Sequence, residues 1–136
     1  MEERPAGGPP PTRILALVGD LFFAVRIGNT LRPLGYRVDV ASSRAKLAAA
    51  LGDGAAPPAL VIVDLAFAAI DPPRQIAALK ADAATRAIPI LAFGAHLDRA
   101  ARDAAKAAGA DRVVANSKLH DDLPALVERY ARPGAT

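Results

Sequence analysis

The 136-residue sequence has no cysteine and no tryptophan, a single methionine and only 4% aromatic residues. Without cysteine there are no disulfides, no thiolate metal ligands and no thiol nucleophile, although the compartment is not fixed by that. So few aromatics leave an aliphatic, Ala-rich core to be built from the 52% of residues that are apolar. They also remove the stacking platforms on which single-stranded nucleic acids are held. No apolar run approaches the length of a membrane span. The N-terminus carries Glu2 and Glu3 and no apolar h-region, unlike a signal peptide, so a cytoplasmic location without a membrane partner is expected. There is no nucleophile elbow and no Walker-type phosphate loop. The pair Gly7-Gly8 precedes the first strand, the wrong context for binding a dinucleotide. An ordinary enzyme is therefore not expected.

What is present is one domain's worth of chain. The formal charge is +3 and the pI about 9.7, carried mainly by scattered Arg residues. A nucleic-acid footprint needs its cations clustered, so the basic balance reads as a solvated surface. Nucleic acid is not expected as a partner, and a nucleic-acid-binding accessory protein is the last-ranked function.

The stretch Ala59-Leu60-Val61-Ile62-Val63-Asp64 organises the rest. A short apolar run without alternation is a strand covered on both faces, as in the middle of a parallel sheet. Its terminal Asp lies where the strand leaves the sheet, the edge at which ligands gather in open α/β folds. Residues 1–12, with Gly7-Gly8 and Pro9-Pro10-Pro11, form a disordered Pro/Gly-rich leader, and 132–136 a flexible tail. Between them, over 13–131, strand and helix alternate five times. Strands are expected at Ile14–Val18, Arg37–Ala41, Ala59–Asp64, Pro89–Phe93 and Arg112–Ala115. The first helix runs from an Asp20 cap to about Leu34, with a core stripe of Phe23, Ile27, Leu31 and Leu34 and a stop at Gly35. Ser42 or Ser43, Asp71, Asp98 and Asp121 cap the other four; Pro72 follows Asp71 at the first helical position. Parallel strands joined by crossover helices follow, in a doubly wound (βα)5 domain.

Several local patterns, in order, give a family resemblance over Arg13 to Tyr130. Leu60-Val61-Ile62-Val63-Asp64-Leu65 resembles the strand bearing the phospho-accepting Asp of the CheY-like receiver domains of response regulators. Ile70-Asp71 is similar to the motif that follows it, Asp82 to Ile90 to the lead into the fourth strand, and Gly109-Ala110-Asp111 to the Gly-Ala-Asp before the fifth. The resemblance implies a three-layer flavodoxin-like α/β sandwich with five parallel strands in the order 2-1-3-4-5. It also implies a two-component, phosphorelay role. In such receivers an acidic pair after the first strand helps to hold Mg²⁺, a Thr or Ser ends the fourth strand, and a Lys ends the fifth.

This chain departs from the pattern at each of those places. The acidic pair falls on Val18-Gly19, leaving only Asp20 beside it; the hydroxyl position is Gly94; the Lys position is Asn116, with Lys118 two residues on. Each lost charge-assisted contact is worth about 1.5–3 kcal/mol. The expectation is thus a degenerate, stand-alone receiver-like domain that acts through protein–protein contact and needs no cofactor. The alternative keeps Asp64 as a phospho-acceptor for a histidine kinase, with Asp20 and Asp64 holding Mg²⁺. His96 and Lys118 are candidates for the rim of the pocket. Arg99, Arg102 and Lys106 share a helical face, read as a solvated stripe. Phe22 and Val25, left over from the core stripe of the first helix, are candidates for an interface, in a monomer or a homodimer.

Overall fold

A computed structural model of the chain describes residues 12–52 and 56–131. The expected leader, apart from Thr12, and the expected tail over 132–136 lie outside these. Five strands, β1 (Arg13–Leu17), β2 (Arg37–Ala41), β3 (Leu60–Asp64), β4 (Ile90–Gly94) and β5 (Arg112–Ala115), alternate with α1 (Leu21–Leu31), α2 (Arg44–Ala50), α3 (Pro72–Ala81), α4 (Arg99–Ala108) and α5 (Asn116–Tyr130). All pairings are parallel, and the sheet order is β2-β1-β3-β4-β5. That is the flavodoxin-like (βα)5 arrangement expected from the resemblance. Among the described residues no helix is long and apolar enough to cross a membrane.

The unbroken apolar strands are explained by two cores, one on each face of the sheet. Alternate strand residues point to opposite faces. Ile14, Ala16, Leu60, Ile62, Leu91 and Phe93 pack under α1 and α5 with Ile27, Leu31, Leu119 and Leu123. Leu15, Leu17, Val61, Val63, Ile90 and Ala92 pack under the other helices with Leu47, Ile76, Leu79 and Ala105. By the same alternation Asp64 follows Leu60 and Ile62 toward the α1/α5 side.

The amino edge of the sheet is stitched by charge. The Arg13 guanidinium pairs with Asp39 across β1 and β2 at 2.8 Å and donates to the carbonyls of Ala50 and Ala56. Asp111 accepts from the Ile90 amide and from the Lys80 ammonium, each at 2.8 Å. The Gly109-Ala110-Asp111 turn therefore joins α3, β4 and β5. Gly109 has φ +117°, and a Cβ there would stand 3.0 Å from Lys80 Cγ, so the motif needs its glycine on both counts.

Four helix details differ from expectation. α1 stops at Leu31 and Arg32–Leu34 tighten into a 3-10 turn around Pro33, closed by Gly35 at φ 97°. Leu34 is consequently 57% exposed and not in the core, and Phe23 is only half-buried. Asp71 precedes α3 with a left-handed φ of 52° and makes no side-chain capping bond, so Pro72 opens that helix without an Asp cap. α5 is two helical segments joined by a kink at Asp122 (φ −119°, ψ 21°), just before Pro124: the expected last helix begins at Leu123, and an unexpected helical segment from Asn116, directly after β5, precedes it. Proline lacks the amide and crowds the preceding turn, which accounts for the kink. The caps at Asp20, Ser43 and Asp98 form as expected, each accepting backbone N–H groups.

Candidate functional site

β1 pairs with both β2 and β3, so the chain reverses direction across the sheet between β1 and β3, and a crevice opens at the carboxyl ends of those two strands. Asp20 and Asp64 border that crevice. Asp64 is 3% exposed, the one charged residue buried among those described. Its Oδ1 accepts from the Ala66 amide at 2.9 Å. Burial pushes its carboxyl above the usual range, opposed by the Ala66 amide; Asp20 pushes it further up and His120 pulls it down. Asp20 is engaged as the cap of α1, its Oδ1 accepting from the amides of Phe22 and Phe23 at 2.8 and 3.3 Å.

The pH dependence follows from the sign of that shift. Asp64 binds its proton more tightly in the folded chain than in the unfolded one. Its unfavourable contribution is absent below the ordinary carboxylate value of 3.8. It grows as pH rises from there and is complete above the raised folded value. Asp64→Asn should therefore stabilise the domain at neutral pH by about 0.5–2 kcal/mol. The gain should vanish in urea melts below pH 3.8. Equal stability of the two proteins at pH 7 would contradict the assignment of Asp64 as a buried, strained carboxylate.

Apolar side chains from the β3–α3 loop lie against Gly19 and Gly94, the positions at which the resemblance led us to expect an acid and a hydroxyl. A Cβ at Gly19 would stand 2.7 and 2.8 Å from the Phe67 ring, and one at Gly94 would stand 3.2 and 3.3 Å from Leu65. Phe67 is buried in the core on the α2–α4 side of the sheet. Asn116, at the Lys position, opens α5 with its Oδ1 buried and without a hydrogen-bond partner.

His120 lies one turn beyond Asn116 on the same face of α5. Placing the start of that helix at Asp121 hid it. Its ring stacks at 4.9 Å on Phe23, and Phe93 meets both rings edge-on, at 5.9 Å from Phe23 and 6.2 Å from His120. Both ring nitrogens are buried and unpartnered. Burial and the nearby Arg26 push the His120 imidazolium below its ordinary value, against the pull of Asp121 and Asp64. The spacing of Asn116 and His120 was the available signal.

The other candidates are spread out. His96 is exposed in the β4–α4 loop, its carbonyl accepting from Arg102 at 2.8 Å. Lys118 pairs with Asp122 on α5. Phe22 and Val25 are 65% and 48% exposed on α1.

Mg²⁺ demands near-octahedral oxygen ligation. Here Asp20 is tied to the helix amides and Asp64 is buried. Among the described residues no group of three or more His, Cys, Asp or Glu could hold a metal ion. Mg²⁺ often takes only one or two carboxylates and completes its shell with water, and the carboxylates that border the crevice here are Asp20 and Asp64.

No protein-family profile matches this chain, and no curated protein matches it. Solved structures do. Chemotaxis response regulator CheY4 of Vibrio cholerae is 21% identical, with a TM-score of 0.76 over 88% of this chain and 98% of its own. A protein of Chloroflexus aurantiacus described as a response regulator is 26% identical, with a TM-score of 0.77 over 88% of this chain and 97% of its own. The receiver domain of a sensor histidine kinase from Pseudomonas aeruginosa is 20% identical, with a TM-score of 0.76 over 88% and 97%, and has magnesium coordinated in its active-site cleft. The strand order, the helices on both faces and these likenesses agree: the chain carries the fold of a CheY-like response-regulator receiver domain.

Proposed function

We propose that this domain signals by protein–protein contact and that its phosphotransfer site is degenerate. The observation that carries the reading is the packing of Phe67 against Gly19 and of Leu65 against Gly94. Those two side chains stand where a working receiver would need carboxylate and hydroxyl oxygens. Asn116 at the Lys position adds a neutral amide where a phosphoryl group would call for a cation. Asp64 then serves as a buried remnant at the crevice, and no chemical step is assigned to it. Partners of the domain are proteins; their binding does not depend on a phosphoryl group.

The runner-up is a phospho-receiver in which Asp64 accepts a phosphoryl group from a histidine kinase, with Mg²⁺ between Asp20 and Asp64. The retention of Asp64 at the carboxyl end of β3, beside Asp20, favours it. Incubation with acetyl phosphate and Mg²⁺, followed by intact mass measurement, separates the two. The expected result is no stoichiometric phosphoryl adduct. An adduct that disappears in Asp64→Asn would reverse the order of the readings.

The same reading gives Phe22 and Val25 a task as contact residues on α1. Phe22→Ser should leave the free energy of unfolding unchanged to within about 0.5 kcal/mol, as for exposed positions. A core phenylalanine would lose about 3–5 kcal/mol. A urea melt of the variant decides between them.

A further inference from the structure

We propose that the groove between α1 and the β2–α2 corner is the docking site of an acidic, amphipathic segment of a protein partner. This rests on the reading that the domain works by protein contact, and it names the kind of partner. The groove encloses about 460 Å³ and is floored by Val18, Ala24 and Val40, with Leu21 and Val25 on its wall. Leu21 is 77% and Val25 48% exposed, and Phe22 continues the apolar surface at 65%. Adjacent large apolar residues this open on one helix are the chemistry of an anchor site.

The charge of the groove fixes its occupant. Among the described residues its ionic lining is Arg32 and Lys46, with no carboxylate. Arg32 is held in place twice over. Its Nη2 donates to the Val38 carbonyl at 2.8 Å, and its guanidinium lies where a side chain on Gly28 would be, 2.5 Å from an ideal Cβ. Gly28 is helical and has no positive φ, so its bareness serves that close approach and not a turn. An arginine has five N–H donors in a fixed fork, and one bond to a carbonyl leaves others to meet a ligand. Lys46 donates to Ser42 Oγ at 3.0 Å and, among the described residues, has no ion pair. Two acids on the neighbouring elements are otherwise engaged: Asp20 caps α1 and Asp39 pairs with Arg13 and Arg37. Apolar side chains seated on Leu21, Ala24 and Val25, with carboxylates reaching Lys46 and Arg32, satisfy every group in the groove. A basic or uncharged segment would leave both cations without counter-charge.

The test is selection of a random peptide library, displayed on phage, against the immobilised full chain at physiological salt. Selected peptides are then measured by fluorescence anisotropy. The expected winners carry large apolar residues flanked by Asp or Glu. Their affinity should fall about tenfold or more in Leu21→Ser and in Lys46→Glu, with thermal melting of both variants unchanged, and should weaken as salt is raised. Winners without acidic residues, or binding indifferent to both substitutions, would overturn the proposal. So would sedimentation showing a dimer that Leu21→Ser dissolves while no peptide is selected, which assigns the groove to a second copy. Tight binding of a single-stranded oligonucleotide, lost in Lys46→Glu, in place of any acidic peptide would assign it to nucleic acid. The acetyl phosphate experiment stands apart from all of these: an adduct on Asp64 overturns the degenerate reading and leaves the peptide result to be judged by itself.

Discussion

Phe93→Ala should cost the domain about 3–5 kcal/mol, the range for a large aromatic removed from a packed core. Phe93 is fully buried at the end of β4, in the core under α1 and α5. Its ring meets those of Phe23 on α1 and His120 on α5 edge-on, so the substitution removes both buried area and those contacts. A domain of this size has about 5–15 kcal/mol in total, and the thermal midpoint should drop on the order of 10 °C. Phe93→Leu, which keeps much of the volume, should recover more than half of the loss. The contrast with Phe22→Ser is part of the expectation: two phenylalanines at the same edge of the sheet, one silent and one severe. A Phe93→Ala protein within about 1 kcal/mol of the parent would mean that α5 closes onto the sheet, and that the His120 ring is not held as described.

Much of the fold was legible because it rests on local rules. Continuous apolar runs bounded by Gly, Asp and Pro mark buried parallel strands whatever their neighbours are. Asp20, Ser43 and Asp98 behave as caps because capping needs only the residue and the next turn of backbone. Expectation failed where a distant group or a backbone preference decided the outcome. Pro33 ended α1 one turn early and exposed Leu34; an extra helical segment from Asn116 precedes the kink at Asp122; Asp71 took a left-handed turn in place of a cap.

The site was legible in part, for the same reason. That Asp64 and Asp20 share an edge follows from strand ends and topology. That Gly19 and Gly94 lack the family's oxygens can be read directly from the sequence. What fills the vacated volume cannot, since a missing Cβ does not say which side chain, many residues away, enters the gap. Leu65 and Phe67 look like loop residues in the sequence. In the fold they lie against Gly19, just after β1, and Gly94, at the end of β4.

That packing predicts an energetic coupling. Gly19 has no positive φ, so its backbone would accept any residue; the ring of Phe67 is what forbids a side chain. Gly19→Asp, the change that restores the family's acid, should destabilise the domain by about 1–3 kcal/mol through overpacking. Phe67→Ala alone should cost about 3–5 kcal/mol as a cavity in the core on the opposite side from Phe93. Together they should not add. The Asp side chain has room once the ring is gone, so the double variant should be more stable than the sum by about 0.5–3 kcal/mol, the range for residues in contact. Urea melts of the four proteins close the cycle. Additivity to within about 0.5 kcal/mol would mean that the ring and position 19 do not compete for space, and the account of their contact would fall. If the coupling is found, acetyl phosphate and Mg²⁺ can be offered to the double variant. Phosphorylation of Asp64 there, and not in the parent, would identify the phenyl ring as what separates this chain from a working receiver. Its absence would put the weight on Gly94 and Asn116, where a hydroxyl and an ammonium are still missing.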